Sequence, residues 1–214
     1  MRKMKKLAGL MILTALFVAL LLPTDAQAAS ARKSALKAYN RLLQKKSYTI
    51  EREKYNMTNG VFSVAYIDND SIPELLVRID WRSGNNMLSR LALFTYKNGK
   101  VKLLDTRPLG LLGGYGNKYG YYKKKGVFFT DFAHGDYGGR SYYKISKGKA
   151  ALKLSKGIEM QASGKSKITY ENAAQKKLTK TKFNQTLKKM VGSKKATWMK
   201  MYPNTAASRA RQLK

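Results

Sequence analysis

The chain has 214 residues, with 43 Lys+Arg against 12 Asp+Glu, a formal charge of +31, one histidine and no cysteine. That length buries enough apolar surface for one domain to fold unaided. The missing cysteines exclude a disulfide framework and lipid attachment at a cysteine, and the single histidine leaves no zinc site.

Residues 1–28 read as a secretory signal. Arg2, Lys3, Lys5 and Lys6 form a basic start, Leu7 to Leu22 is an apolar stretch of sixteen closed by Pro23, and Ala26-Gln27-Ala28 gives a small-x-small cleavage pattern. Sixteen residues fall short of the roughly 20 that a span needs. Cleavage before Ala29 removes four bases and one acid, leaving +28 over 186 residues with no later transmembrane stretch. Export without disulfides fits a single-membrane bacterium. The expected location is therefore secreted, or held at the envelope of a Gram-positive cell.

The spacing predicts a helix over 31–46, with Ala35, Leu36, Tyr39, Leu42 and Leu43 on one face, Ser30 as its cap and Lys45 and Lys46 at its C-terminus. From residue 61 the period becomes two. VFSVAYI (61–67) and ELLVRIDW (74–81) read as strands. LALFTY (91–96) and VKLL (101–104) flank Asn98-Gly99, the strongest short hairpin signal. YYKKKGVFF (121–129) and YYKISKGKAAL (142–152) repeat the device loosely, and a further strand is expected near 166–171. Thr181 is the expected cap of a short helix with Phe183, Leu187, Met190 and Val191 as its stripe and Gly192 at its end. The last residues, rich in Trp198, Met199, Met201, Tyr202 and bases, are expected to pack an aromatic cluster and then fray. The fold expected is α+β, mainly an antiparallel β meander with an N-terminal and a short C-terminal helix. Residues 29–203 form its single domain, and 204–214 a basic tail.

Four of the twelve acids, Asp68, Asp70, Glu74 and Asp80, fall within thirteen residues. Carboxylates at alternate loop positions suit calcium, because the loop wraps while alternate side chains point inward. Against the exported pattern D-x-[DN]-x-D-G-x-x-[DE], Glu74 is the last ligand, Asp70 and Asp68 are the fifth and third, and the Ile72 carbonyl is the seventh. Tyr66 stands where the first aspartate belongs, and Ser71 replaces the glycine. The alternative is a tight turn in which Asp68 and Asp70 bond backbone N–H groups and Glu74 pairs with Arg78 or another base.

The run AYIDNDSIPELLV, the LALFTYKNGKV hairpin and the YYKISKGKA hairpin resemble a family of short exported proteins of Gram-positive, gut-type bacteria. In that family D-x-D-x-x-P-E-L-apolar follows a leading helix, and a tail like YPNTAASRARQLK ends the chain. The likeness spans most of residues 35–214, and the family has no assigned activity. The turn itself is similar to calcium-binding turns of FG-GAP-type and dockerin-type repeats, which implies Asp68, Asp70 and Glu74 as ligands.

His134 lies between Asp131 and Asp136 in FTDFAHGDYGGRSYY. An exported hydrolase would use it as a base, oriented by one of those aspartates, with Ser141 or water as nucleophile. No nucleophile-elbow motif accompanies it, and proximity in sequence is a poor guide to triads.

Residues 115–143 hold seven of the fourteen tyrosines. Tyr115, Tyr119, Tyr121 and Tyr122 with Lys123, Lys124 and Lys125 are candidate ligand-binding residues, a platform where rings stack and lysines meet anions. The other reading is that the rings pack a sheet face. The charge points to polyanions: wall teichoic acids, anionic glycans and lipid headgroups. Nucleic acid would bind by the same counterion release, but export weighs against it as the physiological partner. The function expected is non-catalytic binding at the cell envelope, against two rivals, a calcium-held protein or glycan interaction module and a hydrolase built on His134.

Overall fold

The computed structural model describes residues 25–50, 52–83, 86–111, 118–146 and 148–214. Most of the expected signal and the candidate Tyr115 lie outside these residues. Helix α1 (Asp25–Leu43) buries Ala35, Leu36, Ala38, Tyr39, Leu42 and Leu43, the face expected of it. It begins earlier than expected and runs through the Ala28–Ala29 junction, so Ser30 is an interior residue and not a cap. Its last carbonyls are not left to Lys45 and Lys46. The Asn204 side chain donates to Leu43 O at 2.7 Å across 161 residues of sequence.

A short hairpin follows, β1 (Ser47–Ile50) and β2 (Glu53–Asn56), burying Ile50 and Tyr55. Then come two consecutive antiparallel meanders. The first is β3 (Val61–Ala65), β4 (Glu74–Ser83), β5 (Asn86–Lys97) and β6 (Lys100–Leu111). Asn98 and Gly99 join β5 to β6 with φ of 53° and 75°, the two left-handed residues that a tight hairpin needs. The second is β7 (Lys118–Tyr122), β8 (Val127–His134), β9 (Tyr137–Ser146), β10 (Lys149–Met160) and β11 (Ser166–Asn172). Helix α2 (Lys180–Val191) closes the body. Its cap is Thr179, whose Oγ1 accepts from the Lys182 N–H, so the expected cap Thr181 is a helical residue. Gly192, at φ 63°, donates to Lys188 O as expected.

Alternation in the strands stacks these elements in four layers. Phe62, Leu75, Val77, Ile79 and Phe94 meet α1 and the β1–β2 hairpin. Ala65, Leu76, Leu91 and Leu93 on the opposite face meet Tyr119, Phe128, Tyr143 and Ile145 of the second sheet. The far face of that sheet packs Tyr122, Val127, Phe129, Tyr142 and Leu154 under Phe183 and Val191 of α2. Each fully buried Leu, Ile or Phe contributes about 1.5–3 kcal/mol, which is what holds a cysteine-free chain together.

The C-terminal segment ties both sheets. Two-residue strands β12 (Thr197–Trp198) and β13 (Tyr202–Pro203) pair with β7 at the edge of the second sheet and with β3 at the edge of the first. Trp198 packs edge-on against Phe129 and Tyr202 tilts against Phe62, the expected aromatic cluster. The expected fraying does not follow. Thr205 caps helix α3 (Ala206–Gln212), and buried Asn204 donates to both Leu43 O and Met57 O. Asn204 satisfies the Leu43 carbonyl at the end of α1 and adds a bond to Met57 O, which also accepts from the Gly60 N–H, and that orders the tail. Among the described residues, no helix is long and apolar enough to cross a membrane.

Candidate functional site

The connection from β3 to β4 carries the acidic turn. Asp68 Oδ1 accepts from the Asp70 N–H at 3.0 Å, and Asp70 Oδ1 accepts from the Ile72 N–H at 2.7 Å. These two bonds fold the chain back on itself, the arrangement expected of a tight aspartate turn. The second half of that expectation fails. Glu74, the first residue of β4, is 1% exposed and, among the described residues, pairs with no base. Its Oε2 accepts from the Ile67 N–H at 2.9 Å, and its Oε1 has no hydrogen-bond partner.

One carboxylate oxygen each from Asp68, Asp70 and Glu74 lie within 4.8 Å of one another. Oxygens surrounding a single calcium ion at 2.3–2.6 Å are at most about 5 Å apart, so the three side chains fit one hard cation. They supply only part of the six to eight ligands that calcium takes, so backbone carbonyls or water would complete it. The electrostatics point the same way. Burial, then the Asp68 charge, push the Glu74 carboxyl up to about 8, while the Ile67 and Asp68 N–H groups pull it down. Asp70 is raised by burial, against the Ile72 N–H, with Asp68 adding to the rise. Tyr39 of α1 closes the floor, donating to Pro73 O at 2.9 Å. Burial, then Glu74, raise its phenol well above the ordinary range.

The structure brings two sets of sequence candidates together. The Lys123-Lys124-Lys125 turn between β7 and β8 docks on the acidic turn: Lys124 N–H donates to Tyr66 O at 3.1 Å and Gly126 N–H to Ile67 O at 2.6 Å. Asp68, Asn69, Lys124, Lys125 and Lys144 line one cleft between the two sheets. Lys144 donates to Lys125 O, and burial followed by the neighbouring Lys125 lowers its pKa. Fifty residues separate these turns in sequence, and no local pattern links them.

The tyrosine platform does not form at Tyr119, Tyr121 and Tyr122. Tyr119 is 2% exposed and Tyr121 half-buried against the first sheet, while Tyr122 packs on the opposite face under α2. Lys123 and Lys124 remain exposed. The side chain of His134 lies outside those described; of the residues proposed around it, Asp136 is exposed in the β8–β9 turn. Asp131 forms a two-pronged ion pair with Arg140 at 2.5 and 2.6 Å. Ser141 stands opposite Thr130, four registers from the His134–Tyr137 pair, roughly 13 Å along the strand.

Compared with protein-family models, with curated proteins and with solved structures, the chain matches none.

Proposed function

We propose that the protein is an exported, non-catalytic, cationic binder of anionic polymers at the cell envelope. One observation carries this reading. From Asn172 to Lys214 the chain has twelve bases and no acid, and the α2 part of this segment is the outer helical layer over the second sheet. Lys176, Lys177, Lys180, Lys182, Lys188 and Lys189 are all exposed. Lys180 and Lys182 sit in the first turn of α2, where the helix dipole disfavours cations and an acid is the usual choice. A layer that accepts this self-repulsion gains most from a polyanion. Each basic residue near an anionic surface contributes about 1 kcal/mol, decaying over a Debye length of about 8 Å. Wall teichoic acid is the abundant partner of that chemistry outside a Gram-positive cell.

Co-sedimentation of the protein with purified wall, with and without its teichoic acid, at low and high salt tests the reading. Binding that requires the teichoic acid and vanishes in salt is the expected result, and no binding under any condition overturns it.

A second reading rests on the buried, unpartnered Glu74 Oε1. We infer that Asp68, Asp70 and Glu74 take a weak calcium ion, which would fix the β3–β4 turn on which the β7–β8 turn of the second sheet docks. Extracellular sites of this kind have Kd values of roughly 10⁻⁴–10⁻³ M. A melting temperature unmoved by calcium and by EGTA would end this reading without touching the first.

A further inference from the structure

All the large apolar side chains that stand exposed among the described residues belong to the second sheet, one per strand from β8 to β12: Phe132, Tyr137, Met160, Ile168 and Trp198. Scattered exposed apolar residues are ordinary, and strand alternation divides these between the two faces: Phe132 and Tyr137, edge-on to each other, share the side of Phe128 and Tyr143, while Met160, Ile168 and Trp198 share the side of Phe129 and Tyr142. On the side of Phe129 and Tyr142 lies a cleft of about 650 Å³, lined by Lys118, Asp131, Asp136, Arg140, Lys156 and Met160.

The strand register explains the cleft. Lys118 pairs with Asp131, Asp131 with Arg140, and Arg140 with Lys156, a charged row across four strands. At about 4.8 Å per strand the row is roughly 14 Å long. Beside it on one flank run Trp198, Phe129 and Tyr142, and on the other Ala133, Gly138 and Ile158. Gly138 keeps the floor low, because a Cβ there would meet Phe132 O at 2.9 Å. Arg140 is held rigid: its guanidinium lies 4.5 Å from the Phe129 ring centre and 5.2 Å from that of Trp198, and grips Asp131 with two bonds. Of the three N–H groups beyond that grip, one also meets the Tyr142 hydroxyl, which leaves two. The row carries three cations and one already paired carboxylate.

We propose that this cleft binds an acidic polysaccharide segment. The exposed Trp198 ring beside Arg140 suits the C–H face of a sugar ring, the fixed Arg140–Asp131 fork offers both donors and acceptors to hydroxyls, and Lys118 and Lys156 meet the acid groups. A purely apolar partner would leave the charged row desolvated without partners, at high cost. The site lies apart from the lysines of α2, and salt separates the two. The polymer layer acts through diffuse charge and fails in high salt, whereas a site of stacking and hydrogen bonds persists.

The test is an array of neutral, uronic-acid and phosphodiester-linked oligosaccharides, read in 0.5 M NaCl with the protein, Trp198→Ala, Lys156→Gln and, as control, Lys188→Gln with Lys189→Gln. Salt-resistant binding to acidic members is expected, at least tenfold weaker in Trp198→Ala and in Lys156→Gln and unchanged in the control. No binding to any acidic member at that salt, equal binding to neutral members, or loss in the control alone overturns the proposal. Failure here with intact salt-sensitive wall binding leaves the α2 layer's role standing.

Discussion

The acidic turn and the α2 layer handle charge in opposite ways. At 68–74 three carboxylates are drawn together, and the most buried of them, Glu74, has an oxygen with no partner. Around α2 a run of lysines is spread over solvent, with no acid in the first helical turn. Buried like charge must change its protonation or recruit a cation, because desolvation makes it costly. Exposed like charge is screened and tolerated, and its consequence is adhesion and not strain. The difference predicts that altering α2 changes binding without changing stability, while altering the turn changes stability without changing polyanion binding.

The largest effect that would break this contrast is on binding. Replacing Lys180, Lys182, Lys188 and Lys189 together with Gln removes four contacts of about 1 kcal/mol each, roughly a thousandfold in affinity for teichoic acid at low salt. The melting temperature is expected to hold or to rise slightly as self-repulsion falls. A matching loss of stability would show that these lysines are structural, and the contrast would fail.

The next largest effect is on stability against pH, measured in EGTA. Glu74 in the folded protein titrates near 8, above its ordinary 4.5. Between those values the folded chain keeps a proton that the unfolded chain releases. Stability is therefore full below about pH 4.5 and falls as pH rises toward 8, by a few kcal/mol in all. Asp70, also raised, adds to the slope at the acid end. Glu74→Gln should flatten most of this dependence. A metal-free protein equally stable at pH 5 and pH 8 would remove the cost assigned to Glu74.

Calcium should act on the same group with the opposite pH trend. At ten to a hundred times Kd it stabilises by about 1.4–2.7 kcal/mol. The gain should be clear at pH 8, where the carboxylates are free to ionise, and small at pH 5, where protons compete. Glu74→Gln should lose it, and Asp68→Asn should weaken it. Calorimetric scans with calcium and with EGTA at both pH values read the whole set.

Much of the fold was legible because local signals and tertiary packing agree. The α1 face, the Asn98-Gly99 hairpin and the strands from 61 to 172 each repeat with the period of their element, and burial follows that repeat. The split of one meander into two stacked sheets was not legible. Strands β4 and β9 are apolar on both faces, and nothing in a period of two says which partner each face meets. The tail misled for a related reason. Asn204 in a basic segment reads as solvent-exposed, yet its amide reaches carbonyls contributed by residues 43 and 57. At the turn, Asp68, Asp70 and Glu74 were visible as a set. The lysine turn docked on them was visible too, but as a separate site, since only folding closes the distance. The charged row of the cleft was hidden altogether. Lys118, Asp131, Arg140 and Lys156 come from four strands and align only through register.

The smallest effect concerns what holds the lysine layer in place. With no acid in its first turn, α2 receives no help from the dipole, and its N-terminus depends on the Thr179 hydroxyl and on Phe183 and Val191 below. Thr179→Ala should therefore cost about 1 kcal/mol, the usual loss for a cap. Thr181→Ala should cost little, because Thr181 sits within the helix and alanine is the better helix former. If capping matters only to the fold, both variants should bind teichoic acid alike while their melting temperatures separate. If Thr179→Ala also weakens binding, the lysines must be presented by an intact first turn, and adhesion would depend on helix geometry as well as on charge.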